Sequence, residues 1–166
     1  MSLSEHRELL VLGFIRDHAT HGYALAEALE NGLGPALGIK RPNLYALLQR
    51  LEERKLIRHK TVRPGNAPER REYRITPKGK AGYDELLRRC WSAIPDTVLP
   101  LAVLLSSLDE LQKGEQAEAI AGAVRELNER IKAIRAIPAH AGSAGAALQL
   151  IEQHYALDLK FLGKLK

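Results

Sequence analysis

One cysteine, one methionine, one tryptophan and two phenylalanines among 166 residues exclude several classes of protein at once. The lone thiol, Cys90, cannot build an intramolecular disulfide framework. No apolar run approaches the ~18 residues of a membrane span, and the first residues lack the basic-then-apolar pattern of a secretory signal. The six histidines (6, 18, 21, 59, 140 and 154) show no metal-ligand spacing with Cys90 or with one another. Gly-x-Ser-x-Gly is missing, and so is a glycine-rich phosphate loop with its lysine: Gly32-Leu33-Gly34 lacks the third glycine, and Gly142-Ser143-Ala144-Gly145 lacks the lysine. The expectation is a cytoplasmic protein that is not an enzyme, with no metal, no cofactor and no membrane partner.

What is present is leucine, alanine and unevenly distributed charge. At 45% apolar and 27% charged residues the chain can bury a core and favours a mainly helical protein. Residues 40–80 carry thirteen Lys/Arg against four Glu, a net +9, within a chain of net +5. The rest is therefore net −4. A compact basic stretch of this kind suits a polyanion, and double-stranded DNA is the first candidate.

The pattern along the chain reads helix, helix, helix, hairpin, helix. Ser4 with Glu5 marks the first N-terminus, and Leu9 to Ile15 are apolar nearly all round, as in a buried central helix. A short helix over 23–30 ends at Asn31-Gly32, and Thr20 before it is suited to a short strand. In a third helix, 41–54, Leu44, Leu47, Leu48 and Leu51 form one stripe, while Pro42, Tyr45, Ala46, Gln49, Arg50 and Glu53 lie opposite. Residues 56–62 and 70–75 read as strands about a Pro64-Gly65-Asn66 turn. Thr76-Pro77 reads as an N-cap followed by Pro at the first helical position. The next helix places Tyr83, Leu86, Leu87, Cys90, Trp91 and Ile94 on one stripe.

A boundary near Pro95 or Pro100 divides a winged helix-turn-helix with a two-stranded β wing, 1–95, from a helical dimerisation domain, 96–166. In the second half, 98–106 reads as a short apolar helix, and Ser107 to Glu110 fits a capping box. Ala117, Ile120, Val124, Leu127, Ile131 and Ile134 then make a heptad-like seam. The last helix, about 144–164, has two apolar stripes. One holds Leu148, Ile151, Tyr155, Leu159 and Leu162; the other holds Leu150, Leu157, Phe161 and Leu165. Opposite stripes need two partners, the chain's own core and a second copy. The dimer candidates are Leu148, Ile151, Tyr155, Leu157, Leu159, Phe161 and Leu162.

The N-terminal half resembles the PadR family of bacterial transcriptional regulators. The matching residues are Leu10 to Ile15, His21-Gly22-Tyr23, Leu44 to Glu52, Leu56-Ile57 and Arg71 to Gly79, in order and at the family's spacing. Two positions depart from it: Ala46 stands where the family usually has Pro, and Lys55 where it usually has Gly. The resemblance implies a homodimeric winged-helix protein that binds DNA, in the branch with a longer helical C-terminal half. It also implies repression and, in some members, release by a small aromatic or hydrophobic effector.

On that reading the N-terminal part of the third helix meets base edges. Arg41, Asn43, Tyr45, Gln49 and Arg50 are its candidate DNA contacts, with Asn and Gln suited to adenine and Arg to guanine. Arg63, Asn66, Arg70 and Arg71 belong to the wing, and His21 and Tyr23 to the start of the second helix. Tyr83 and Trp91 are candidates for an effector pocket. The alternative is a winged helix that binds protein rather than a DNA sequence; the charge on the third helix and wing favours DNA.

Overall fold

The computed structural model describes residues 2–17, 19–63, 69–92, 100–138 and 141–165. The chain separates into two compact units, Met1–Asp96 and Thr97–Lys166.

In the first unit, α1 (Leu3–Asp17) leads into β1 (Thr20–His21), α2 (Gly22–Glu30), a 3-10 turn over Pro35–Leu37, and α3 (Arg41–Glu53). The strands β2 (Ile57–Val62) and β3 (Arg70–Ile75) follow, and α4 (Pro77–Trp91) ends the unit. The sheet order is β1-β3-β2, all antiparallel. The two-residue β1 closes the edge of the hairpin, pairing Thr20 with Tyr73.

The core explains the order of elements. Val11, Leu12 and Ile15 of α1, Leu25 and Leu29 of α2, and the four leucines of α3 meet Ile57 and Tyr73 of the sheet in one buried cluster. The leucine stripe of α3 is therefore spent on packing, at a stabilisation of about 1.5–3 kcal/mol per fully buried side chain. The first helix is capped by Ser2 rather than Ser4. Ser2 Oγ accepts from Glu5 N–H at 3.3 Å, and Glu5 Oε2 accepts from Ser2 N–H at 2.9 Å. The Ser-x-x-Glu pair completes a capping box, which Ser4 cannot do with the adjacent Glu5.

Between α3 and β2 the chain turns at Lys55, whose φ of 59° lies in the left-handed region. Lys55 N–H donates to Glu52 O and Leu56 N–H to Leu51 O, the paired bonds of a Schellman end. Thr76 caps α4 as expected, accepting from Gly79 N–H at 2.9 Å. Gly79 lies against the Leu56 carbonyl so closely that a Cβ there would collide with it.

The second unit holds α5 (Pro100–Ser106), a 3-10 turn over Leu108–Glu110, α6 (Lys113–Arg135) and α7 (Gly142–Leu162). Ser107 does not begin the long helix. Its Oγ donates back to Leu104 O, and the 3-10 turn breaks the chain there. Helix α6 starts at Lys113 instead, where Glu115 accepts from Gln112 N–H at 3.0 Å. Ile120 and Leu127 of the α6 seam bury against Leu162, with Val124, Tyr155 and Leu159 packed around them. Arg135 Nε donates to Glu152 Oε1 at 2.7 Å across the α6–α7 pair.

Candidate nucleic-acid interface

Helix α3 owes its polar face to its apolar one. With Leu44, Leu47, Leu48 and Leu51 buried, the 100° step per residue leaves Arg41, Pro42, Tyr45, Ala46, Gln49, Arg50 and Glu53 exposed. The candidates on that face differ in how far they are already engaged. Asn43 Oδ1 accepts from Lys40 N–H at 2.7 Å, and its Nδ2 donates to Gly38 O at 2.9 Å. This is the returning half of a capping box; the Lys40 ammonium has no acceptor with which to supply the other half. Gln49 Nε2 donates to Glu53 Oε1 at 3.0 Å. Arg41 donates through Nε and Nη2 to the two carboxylate oxygens of Glu30, each at 2.9 Å. The hydrogen bond from Arg41 holds the Glu30 carboxyl below its ordinary value, and the same pair raises Arg41 above its own. Tyr45 and Arg50 project from the exposed face between these groups.

Tyr45 also joins three elements. It lines a hollow of about 390 Å³ with His21, Gly22, Tyr23, Arg70, Arg71 and Tyr73. The fit at Gly22 is close: a Cβ there would lie 3.0 Å from Tyr45 Cε1, so the ring would have to give way slightly. The His21 Nδ1 on this wall is buried and has no hydrogen-bond partner among the described residues. Sequence reasoning put His21, Tyr23, Tyr45, Arg70 and Arg71 on the same surface from separate motifs. The fold brings all five around one concavity, with the first turn of α2 beside it.

The wing separates its charges by strand alternation. The pairs Arg58↔Arg74, Lys60↔Glu72 and Val62↔Arg70 share one face; Ile57↔Ile75, His59↔Tyr73 and Thr61↔Arg71 share the other. Arg70 and Arg71 therefore leave the strand on opposite sides, although both reach the hollow. Arg58 directly opposite Arg74 is a like-charge cross-strand pair, unfavourable unless an anion offsets it. Glu72 offsets part of it, meeting Arg74 at 2.9 Å and Lys60 at 3.6 Å. The Arg74 hydrogen bond, aided by Lys60, keeps the Glu72 carboxyl below its ordinary value. Glu52 is a residue the sequence reading missed. Its carboxylate accepts from the His59 backbone N–H at 3.0 Å and lies 2.6 Å from His59 Nδ1, fastening α3 to the wing. Arg63 is exposed just after β2; the expected turn at Pro64-Gly65-Asn66, with Asn66, lies outside the described residues.

Residues 11–85 match the model of the transcriptional regulator PadR-like family. That match lies within the first unit of the chain. It is 29% identical over 93 residues to an uncharacterized protein of Lysinibacillus sphaericus, spanning 56% of this chain and 84% of that one. Solved structures share the fold across both units. The smu.1604c protein of Streptococcus mutans superposes with a TM-score of 0.78 at 19% identity, over 95% of this chain and 96% of that one. The Bacillus subtilis PadR structure in complex with operator DNA gives 0.73 at 17% identity, over 95% of each chain. The same protein in complex with p-coumaric acid gives 0.68, again at 17% and 95% of each. The fold is the PadR winged helix with a helical C-terminal part, and no helix among the described residues is long and apolar enough to cross a membrane.

The remaining candidates lie away from the basic surface. Tyr83 faces Gly13, and the Arg16 guanidinium stands 4.6 Å from its ring centroid. Trp91 is not on the buried stripe: the indole is 85% exposed in the last turn of α4, because five residues at 100° put it about 140° round the helix from the buried Leu86. Ile94 lies outside the described residues. Burial pushes the Cys90 thiol up, which disfavours the reactive thiolate.

The two stripes of α7 have separate fates. Leu162 is 1% exposed, Tyr155 and Leu159 pack on the same core, and Leu148 and Ile151 are half-buried. Leu150 (69%), Leu157 (62%) and Phe161 (49%) are exposed.

Proposed function

We propose that this PadR-like transcriptional regulator binds an operator of two half-sites as a homodimer and represses the genes it controls. The observation that carries the reading is the surface formed by the exposed face of α3 and the basic face of the wing around one hollow. Tyr45, Arg50 and Ala46 read base edges in the major groove. Arg63, Arg70 and Arg71 hold backbone phosphates, with His21, Tyr23 and the first turn of α2 beside them. Asn43 and Gln49, each held by a neighbour, enter only by giving up or sharing that bond.

The dimer rests on the outer stripe of α7. Leu157 and Phe161, with Leu150 from the same side, are exposed large apolar groups on one helix face, and Leu165 just beyond the helix is exposed too. Such a face favours a protein partner, and a second copy satisfies it symmetrically. Leu162, Leu159 and Tyr155 are already spent within the unit. The test is a salt series on DNA from the chain's own promoter region together with sedimentation. The expected results are affinity that falls steeply with salt and a dimer at micromolar concentration. Salt-independent binding, or a stable monomer, contradicts the reading.

Release by a small aromatic effector belongs to the same proposal. The exposed indole of Trp91 is its candidate contact, and a B. subtilis protein of the same fold, solved in complex with p-coumaric acid, makes an aromatic carboxylate the first ligand to try. Titration of tryptophan fluorescence with aromatic carboxylates, followed by operator binding, checks it; unchanged operator binding across the series contradicts it.

A further inference from the structure

Arg41 is the first residue of α3, where a recognition helix meets base edges. Its side chain is fixed on two sides. Glu30, the last residue of α2, takes the Nε/Nη2 edge of the guanidinium with both carboxylate oxygens, each at 2.9 Å. The Tyr23 ring lies beneath it, 5.0 Å from guanidinium carbon to ring centroid. No second carboxylate among the described residues pairs with it. The Tyr23 hydroxyl also acts on the guanidinium, and the Nη1/Nη2 edge, which no second carboxylate occupies, can meet an incoming acceptor as a planar fork.

From this geometry we infer that Glu30 is a positioning residue that makes Arg41 a reader of guanine rather than a phosphate contact. The inference rests on the DNA-binding reading above. Two effects separate the acceptors. An isolated guanidinium attracts phosphates from any direction, whereas one bonded to a carboxylate has little net charge to offer a phosphate. The Glu30 carboxylate also repels a phosphate brought close to the pair. The neutral N7/O6 edge of guanine escapes that repulsion and matches the fixed fork. The cation–π contact with Tyr23 and the bidentate bonding to Glu30 hold the fork in place before DNA arrives, as preorganised recognition requires. Without Glu30 the arginine is a long, mobile cation that gains as much from a phosphate as from a base.

The experiment selects binding sites from randomised DNA duplexes with the wild-type full chain, Glu30→Ala, Arg41→Ala and the double variant. The enriched site and a scrambled duplex are then titrated over a salt series. Wild type is expected to enrich a guanine at one symmetric position of each half-site. Glu30→Ala and Arg41→Ala each lose preference for that guanine by about tenfold, and the double variant loses no more than either alone. Arg41→Ala leaves the salt slope on the scrambled duplex unchanged.

Retained preference in Glu30→Ala, with tighter binding to both duplexes, overturns the inference and makes Glu30 an ordinary surface charge. A salt slope reduced by about one in Arg41→Ala overturns it in favour of a phosphate contact. Enrichment of nothing by wild type overturns the DNA-binding reading as well, which distinguishes that failure from the others. All three variants replace exposed side chains, so matching circular dichroism and thermal midpoints establish that each is folded.

Discussion

Helix α3 buries Leu44, Leu47, Leu48 and Leu51 and turns Tyr45, Ala46, Gln49 and Arg50 outward. Helix α7 buries Leu162, packs Tyr155 and Leu159 beside it, and turns Leu150, Leu157 and Phe161 outward. Each helix fastens itself to its own unit through one apolar stripe. They differ in what they offer on the other side. Amide, phenol and guanidinium groups have directional partners and tolerate water until one arrives. Exposed leucine and phenylalanine have no such resting state, and contact with another apolar surface removes their unfavourable hydration. The polar outer face suits a target met transiently. The apolar one suits a partner that stays.

That contrast can be broken at its strongest point first. Leu48→Ala in the buried stripe of α3 should cost about 3 kcal/mol of stability or more, because the tightly packed core cannot collapse around the gap. Urea unfolding of the variant measures it. Leu157→Ala should cost less than about 0.5 kcal/mol within its own unit, since the side chain is largely exposed there. If the two losses are equal, the faces of α7 have been assigned wrongly.

The apolar outer face is tested next by charge. Leu157→Glu with Phe161→Glu should weaken self-association by about 100-fold or more, roughly 3 kcal/mol, by placing carboxylates in the contact. Sedimentation equilibrium reads this, and retained helicity shows that the unit itself is intact. A dimer as tight as wild type places the second copy elsewhere.

Smaller effects divide the proposed DNA surface. Arg50→Ala should change sequence preference, by about 1–3 kcal/mol at one base pair. Arg70→Ala should weaken all duplexes alike and lower the salt slope by about one. Uniform loss in both would place Arg50 among the backbone contacts.

The smallest expected effect is at the end of α3. Lys55 occupies a left-handed conformation that a Cβ disfavours, so Lys55→Gly should stabilise the protein by up to about 1 kcal/mol. Thermal unfolding checks the sign. The same variant removes a cation near the wing, so its DNA affinity should fall slightly while its stability rises.

Much of this fold was legible as period and punctuation. The i, i+3, i+4, i+7 leucines of α3 defined its inner face and, by subtraction, its outer one. Thr76-Pro77 marked the start of α4, and the Pro-Gly-Asn run separated the two strands. These are local decisions, made by backbone preference and side-chain spacing within a few residues. Ser4 and Ser107 misled because a capping residue type near a helix start is not yet a cap: the hydrogen bonds chose Ser2 for α1, and α6 begins after Gln112, beyond a 3-10 turn. Trp91 was misplaced because a stripe drawn loosely over a long helix mixes residues from more than one side.

By itself the amino-acid sequence determined the winged-helix order, the concentration of +9 charge on residues 40–80 and the two apolar stripes of the last helix. Tertiary structure alone decided which groups were already engaged. It joined Arg41 to Glu30 across the α2–α3 turn, and it closed Asn43 onto Lys40 and Gly38. It also gave Leu162 to the core while leaving Leu157 outside. Charge and periodicity are sums over a chain and survive without a fold. A hydrogen-bond partner is a matter of a few ångströms between segments distant in sequence, and only packing supplies that distance.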